Sequence, residues 1–228
     1  MNKIPTLLAL TLLTLATAFI ALAEEPKTSA DYFPLRAGDS WTYRNTADGS
    51  EYSLKVLGGE KQADGSIRYQ VEKLAGPKDS KVQIHLSFSK AKGWVLLHGE
   101  RYPEHEGLEA KYDPPKQYLP NPLAPEAKWE WSGKDYTQTP MHEETRVAGS
   151  EEVTVPAGKF RAMKVVSQVT GSSAPVTKTY WYADGVGLVK TTSEAGDIKY
   201  GSELAPLRRG PTYPCRTSHP SRSCRSRT

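Results

Sequence analysis

Two acid pairs, Glu143-Glu144 and Glu151-Glu152, are the residues whose type and spacing come nearest to catalysis. Two carboxylates held at a fixed separation across a sugar can hydrolyse a glycosidic bond. Each pair lies in an extended stretch, however, and neighbours on a strand point to opposite faces. Both pairs are therefore expected to be solvated. His98, Glu104, His105 and Glu106 form the nearest approach to a metal-ligand set. Their spacing fits no zinc motif such as H-E-x-x-H, so a solvated loop is expected there. His85 and His142 stand among strand residues without an evident partner. Cys215 and Cys224 enclose only His219, too few ligands for zinc, and in an oxidising compartment they would close one short disulfide loop. No G-x-S-x-G elbow, Walker loop or G-x-G-x-x-G is present. Gly185-Val186-Gly187 is a hairpin feature with no helix behind it to receive a phosphate. No catalytic residue, metal or cofactor is expected.

What the chain offers instead is aromatic surface. Trp129 and Trp131 alternate and so share one strand face. Together with Trp94, Tyr180, Trp181 and Tyr182 they are the candidates for lining an apolar ligand site. Core packing competes with that role at every one of these positions, because aromatics dominate core burial.

The elements that must position them are strands. Glu151 to Lys190 holds the densest β-forming sequence, with turns at Pro156-Ala157-Gly158 and Asp184-Gly185. Met163, Val165 and Val169 share one face of its middle strand. Tyr180, Trp181 and Tyr182 put aromatics on both faces of the next, which marks a central strand covered on both sides. Upstream, Trp41 to Arg44 and Glu51 to Leu57 flank a turn, and Asp64-Gly65 signals a hairpin. Ile67, Tyr69, Val71 and Lys73 alternate with Arg68, Gln70 and Glu72; Val82, Ile84, Leu86 and Phe88 form a clean amphipathic strand. Glu100 to Pro125 carries six prolines and reads as a long loop, either a lid over an open end of the sheet or a crossover between two halves. Ile198 to Ser202 reads as a last, edge strand.

VTVPAGKFRAMKV (153–165) followed by YWYADGVGLVK (180–190) resembles a group of uncharacterised bacterial envelope proteins, the domain-of-unknown-function 3108-like family. The opening Tyr32 to Tyr43, YFPLRAGDSWTY, is similar to the start of the same domain. The resemblance implies a curved antiparallel sheet or open half-barrel, similar to periplasmic lipoprotein carriers, and implies no settled activity.

Both ends of the chain differ from its body. Met1 to Ala23 has a positive start, an apolar run and an Ala-Leu-Ala ending, the pattern of a secretory signal peptide cleaved before Glu24. An uncleaved anchor is the competing reading. Residues 24–30 read as a flexible lead-in, and 31–205 as one β domain. From Pro206 to Thr228 the chain is Arg-, Ser- and Pro-rich and holds both cysteines. That stretch is expected to be disordered. It reads either as a basic arm for anionic lipid or polymer, or as a reading-frame artefact. The formal net charge of +4 belongs to it: Lys3 lies in the leader and six of 30 basic residues follow Leu207, leaving 23 against 26 acids. A body this near neutrality argues against a nucleic-acid surface.

The expectation is thus an all-β protein of about ten strands, a single antiparallel curved sheet or open half-barrel with a long Pro-rich loop. It would reside in the periplasm or be secreted, without a transmembrane segment after signal cleavage. Its role would be to bind an apolar ligand, a lipid or acyl chain. The alternatives are assembly with another envelope protein through a sheet edge, and hydrolysis of polysaccharide or lipid.

Overall fold

The structure is a computed structural model and describes residues 29–76, 80–171 and 174–206. The signal peptide, most of the lead-in, and both cysteines in the C-terminal stretch lie outside the described residues. Twelve strands follow one another: β1 (Ser40–Asn45), β2 (Glu51–Lys61), β3 (Ile67–Leu74), β4 (Val82–Ala91), β5 (Trp94–Arg101), β6 (Glu109–Pro120), β7 (Lys128–Lys134), β8 (Pro140–Val155), β9 (Gly158–Gly171), β10 (Val176–Ala183), β11 (Gly187–Ala195) and β12 (Ile198–Leu204).

All twelve belong to one antiparallel sheet, in the order β6-β5-β4-β3-β2-β1-β12-β11-β10-β9-β8-β7. Two six-stranded meanders are therefore joined by a single non-local pairing, β1 with β12, in which Tyr43 stands opposite Leu204. Curvature brings the two ends of the order, β6 and β7, towards each other. The result is a nearly closed barrel with one unsealed seam. Bulges in β2, β5, β6 and β8 supply local twist and bend. At the bulge in β8, Gly149 has φ 121°, a conformation that side chains other than glycine resist.

The alternation read from sequence sets the inner face. Val56, Val71, Phe88, Val95, Leu97, Leu119, Val147, Met163, Val165 and Tyr182 form the principal core. Tyr43, Val56, Val95, Leu119 and Val165 are each at most 1% exposed, so the depth of the barrel is filled by its own side chains. A smaller core gathers Val153, Val155 and Ala162 from the long β8–β9 hairpin with Tyr43, Trp181, Val189 and Leu204. Trp181 and Tyr182 thus enter different cores, as expected of an interior strand with apolar residues on both faces.

Residues 31–35 pack against the principal core. Phe33 lies 5.1 Å from Phe88 and 5.6 Å from Tyr118, ring centre to ring centre. Asp31 fastens the segment. Its carboxylate accepts from Lys90 Nζ at 2.7 and 2.8 Å and from Asn121 Nδ2 at 2.8 Å. Its own amide donates to Asp184 at 2.7 Å.

Two expectations are corrected here. The stretch from Glu100 to Pro125 is not a long loop, because β6 runs through it. β6 tolerates Pro114, Pro115 and Pro120 because it ends the sheet order, where a missing N–H breaks no ladder on the outer side. The prolines cluster where the β5–β6 register jumps, from Leu97↔Lys116 to Gly99↔Lys111. Ile198 to Ser202 is not an edge, since β12 lies between β1 and β11.

Candidate functional site

The seam between β6 and β7 is the one break in the ladder among the described residues. Side chains cross it instead. Trp94 on β5 meets Trp129 on β7 edge-to-face, with ring centres 5.9 Å apart. Tyr112 on β6 meets Trp131 on β7 in the same manner at 5.5 Å. Lys116 on β6 places its ammonium 4.3 Å from the centre of the Trp131 ring. Such a cation above an indole face is attracted by the ring quadrupole.

Lys116 also anchors a polar chain running away from the seam. Its Nζ donates to Glu143 Oε2 at 2.5 Å. Ser167 Oγ donates to the other carboxylate oxygen at 2.7 Å, and Thr145 donates to Ser167 at 3.0 Å. Trp131 and Glu143 are register partners on β7 and β8, so both present themselves to Lys116 from one face. Burial pushes the Glu143 carboxyl upward, but Lys116 and Ser167 more than offset this and hold it below its ordinary value. At the other side of Tyr112, the phenol donates to Glu100 Oε1 at 2.6 Å, and Tyr102 donates to Oε2 at 3.2 Å. Burial and the Glu100 carboxylate push both phenols up.

Two clefts open along β6. One, of about 520 Å³, lies in the seam and is lined by Tyr112, Pro114, Pro115, Gln117, Glu130 and Trp131 among others. The second, of about 670 Å³, lies on the β3–β5 side and is lined by Arg68, His85, His98, Glu100, Arg101 and Tyr112. Both contain Tyr112.

Of the aromatic candidates, the structure brings Trp94, Trp129 and Trp131 to the seam. Tyr182 lies in the principal core and Tyr180 packs against it, the two rings stacked at 6.1 Å. Trp181 is separate. It belongs to the smaller core, donates Nε1–H to Glu151 at 2.6 Å, and has Lys164 and Lys190 within 5.5 and 5.8 Å of its ring centre.

Alternation divides the acid pairs, but the expectation that both are solvated is corrected at Glu143, which strand pairing largely buries. Glu143 faces Lys116 while Glu144 is exposed beside His142; Glu151 meets Trp181 while Glu152 meets Lys159. His98 bonds Ser89 at 2.8 Å, and burial lowers its pKa, with Arg68 adding to the effect. Glu104 pairs with Lys81. Among the described residues, no three His, Cys, Asp or Glu side chains are grouped to hold a metal. Sequence reasoning overlooked Lys116. Its position beside two prolines disguised it as a loop residue, and only the β6–β7 approach gives it Trp131 and Glu143.

No curated protein matches the chain. Two solved structures are similar at 15% identity. One is a candidate lipoprotein from Parabacteroides distasonis, TM-score 0.47, covering 79% of this chain and 99% of its own. The other is a candidate exported protein with a YmcC-like fold from Bacteroides fragilis, TM-score 0.49, covering 78% and 98%. A family model, DUF3108-like, matches residues 119–199, from the end of β6 into β12, and includes both motifs read above. Over that span the chain is similar to the DUF3108-like family, as VTVPAGKF and YWYADGVGLVK imply.

Proposed function

We propose that this is a non-enzymatic binding protein of the bacterial envelope that holds an apolar chain, a lipid or acyl group, at the β6–β7 seam. One observation carries the reading. The seam is closed by aromatic side chains and one ion pair rather than by a backbone ladder, and a cleft of about 520 Å³ opens there. Side-chain contacts part at far lower cost than a run of strand hydrogen bonds. Parting would expose indole and phenol faces beside the Lys116–Glu143 pair, in a cleft that also holds Lys111, Asp113, Glu130 and Lys134, which suits an apolar chain with a polar end. Because the depth of the barrel is filled, the ligand lies along the seam and not at the centre. The leader at residues 1–23 supports an envelope location. Against hydrolysis stands Ser167: the hydroxyl nearest to a carboxylate and lysine is 0% exposed and out of reach of a substrate.

Native mass spectrometry of protein purified gently from the host envelope tests this. A bound lipid or acyl mass that is lost in Trp131→Ala is the expected result. An empty monomer, with no lipid altering its tryptophan fluorescence, would sink the proposal.

One observation favours partner binding as a second reading. Among the described residues β7 has no ladder partner on its seam side, while the edge of β6 is obstructed by Pro114, Pro115 and a bulge. A partner strand would therefore add to β7. Cross-linking in the envelope, repeated with Pro at Glu130, separates this from ligand binding.

A further inference from the structure

A second feature centres on Lys73. It continues the inner face of β3 beyond Tyr69 and Val71, opposite Leu54 on β2. Its ammonium lies 4.7 Å from the centre of the Tyr52 ring, and no carboxylate of the described residues forms an ion pair with it. Burial lowers the pKa of Lys73. A lysine withdrawn from water without a counter-charge is unfavourable, so the position calls for an anion.

The surroundings are built to receive one. A cleft of about 360 Å³ is lined by Lys73 together with the hydroxyl-bearing residues Tyr52, Thr191, Ser193, Tyr200 and Ser202. Tyr52 is held from two directions. Its hydroxyl shares a 2.8 Å hydrogen bond with Ser202, and its ring stacks on buried Tyr43 at 5.1 Å. Gly201 lets β12 approach β11 closely beside the cleft: a Cβ there would meet the Thr191 carbonyl oxygen at 2.3 Å. The acid in the lining, Glu51, is turned to Arg44 at 3.2 Å.

We propose that this cleft is a carboxylate-binding site, in which the Lys73 ammonium takes the charge and the hydroxyls of Tyr52, Tyr200 and Ser202 take the remaining lone pairs. One ammonium with neutral donors around it matches a singly charged head better than a phosphate dianion. The cleft shares no lining residue with the two clefts along β6, so the site stands whether or not the seam binds a chain.

The test is an NMR titration of the full chain, following the lysine side-chain resonance that disappears in Lys73→Met. Acetate, laurate and inorganic phosphate are the probes. The expected result is that carboxylates shift that resonance and raise the pKa of the ammonium. Lys73→Met should weaken carboxylate binding by about tenfold or more, the worth of one charge-assisted hydrogen bond. Equal shifts with acetate and laurate support a site for the head alone; a shift confined to laurate supports an acid whose chain is also held. A wild-type resonance that responds only to phosphate, or to none of the three, overturns the proposal. So does unchanged carboxylate affinity in a folded Lys73→Met protein.

Discussion

Lys116 and Trp131 meet where no backbone hydrogen bond joins their strands, with the ammonium 4.3 Å from the ring centre and bonded to Glu143 at 2.5 Å. This contact fastens β6 to both β7 and β8. Lys116→Met strands the Glu143 carboxylate, whose side chain is only 18% exposed. The expected cost is about 2 kcal/mol, below the full value for a deeply buried pair. Adding Glu143→Gln should recover part of that loss, and denaturant unfolding of the double-mutant cycle measures it. Amide exchange in β6 and β7 should quicken in the single variant while β1 and β12 stay protected.

The seam reading separates two tryptophans. Trp131→Phe should diminish ligand-dependent quenching of fluorescence, leaving Trp94 and Trp129 as the remaining seam reporters. Trp181→Phe should leave that quenching intact, because Trp181 belongs to the other core. The same replacement removes the 2.6 Å bond to Glu151 and should cost about 1–2 kcal/mol of stability. Quenching lost in Trp181→Phe and kept in Trp131→Phe would place the ligand away from the seam.

Asp31 gives the N-terminal segment an acid-sensitive clasp. Burial would raise its carboxyl, but Lys90, Asn121 and the Phe33 amide hold it below its ordinary value of 3.8. A carboxyl lowered by folding stabilises the protein above its unfolded pKa, and that stability is lost as pH falls through the folded one. The clasp's contribution is therefore complete at neutral pH, begins to decline near the unfolded value of about 4, and is lost as pH falls through the lower folded one. Asp31→Asn should loosen residues 31–35 at neutral pH and flatten the pH dependence of stability in acid. Thermal unfolding across that window, with wild type beside it, gives the comparison.

At the alkaline end the tyrosines act in the opposite sense. Burial pushes Tyr43, Tyr180 and Tyr182 well above their ordinary value, and pushes Tyr118 up to about 12. An acid whose pKa is raised by folding contributes its stability below the unfolded pKa, near 10, and loses it as pH rises towards the folded value. Phenolate absorbance should therefore rise in two phases, exposed groups first and the interior ones only with unfolding. A single phase complete below pH 11 would contradict the burial of these rings.

Gly201 tests the β11–β12 register. Gly201→Ala drives a methyl into the Thr191 carbonyl and should destabilise by about 1–3 kcal/mol, as overpacking does. It should also perturb the Lys73 cleft, which Gly201 lines.

Strand alternation and turn chemistry were legible from residue types alone. Ile67-x-Tyr69-x-Val71-x-Lys73, the Asp64-Gly65 turn and the two motifs in 153–190 each specify local geometry, because period two and positive φ are properties of a few neighbouring residues. Fold class follows from their repetition. The Pro-rich stretch was misread since a proline is forbidden in a paired strand but permitted on an outer one, and its own sequence does not say which neighbour is missing. The same ignorance made β12 look like an edge: whether a strand is flanked depends on β1, at the far end of the described sequence. The seam contacts share that origin. Lys116, Trp131 and Glu143 lie on three strands, and what surrounds Lys73 is set by residues that β1, β2 and β12 bring together. Local sequence determined which faces are apolar. Closure of the sheet, which sums small twists and bulges over twelve strands, decided which residues meet across the gap.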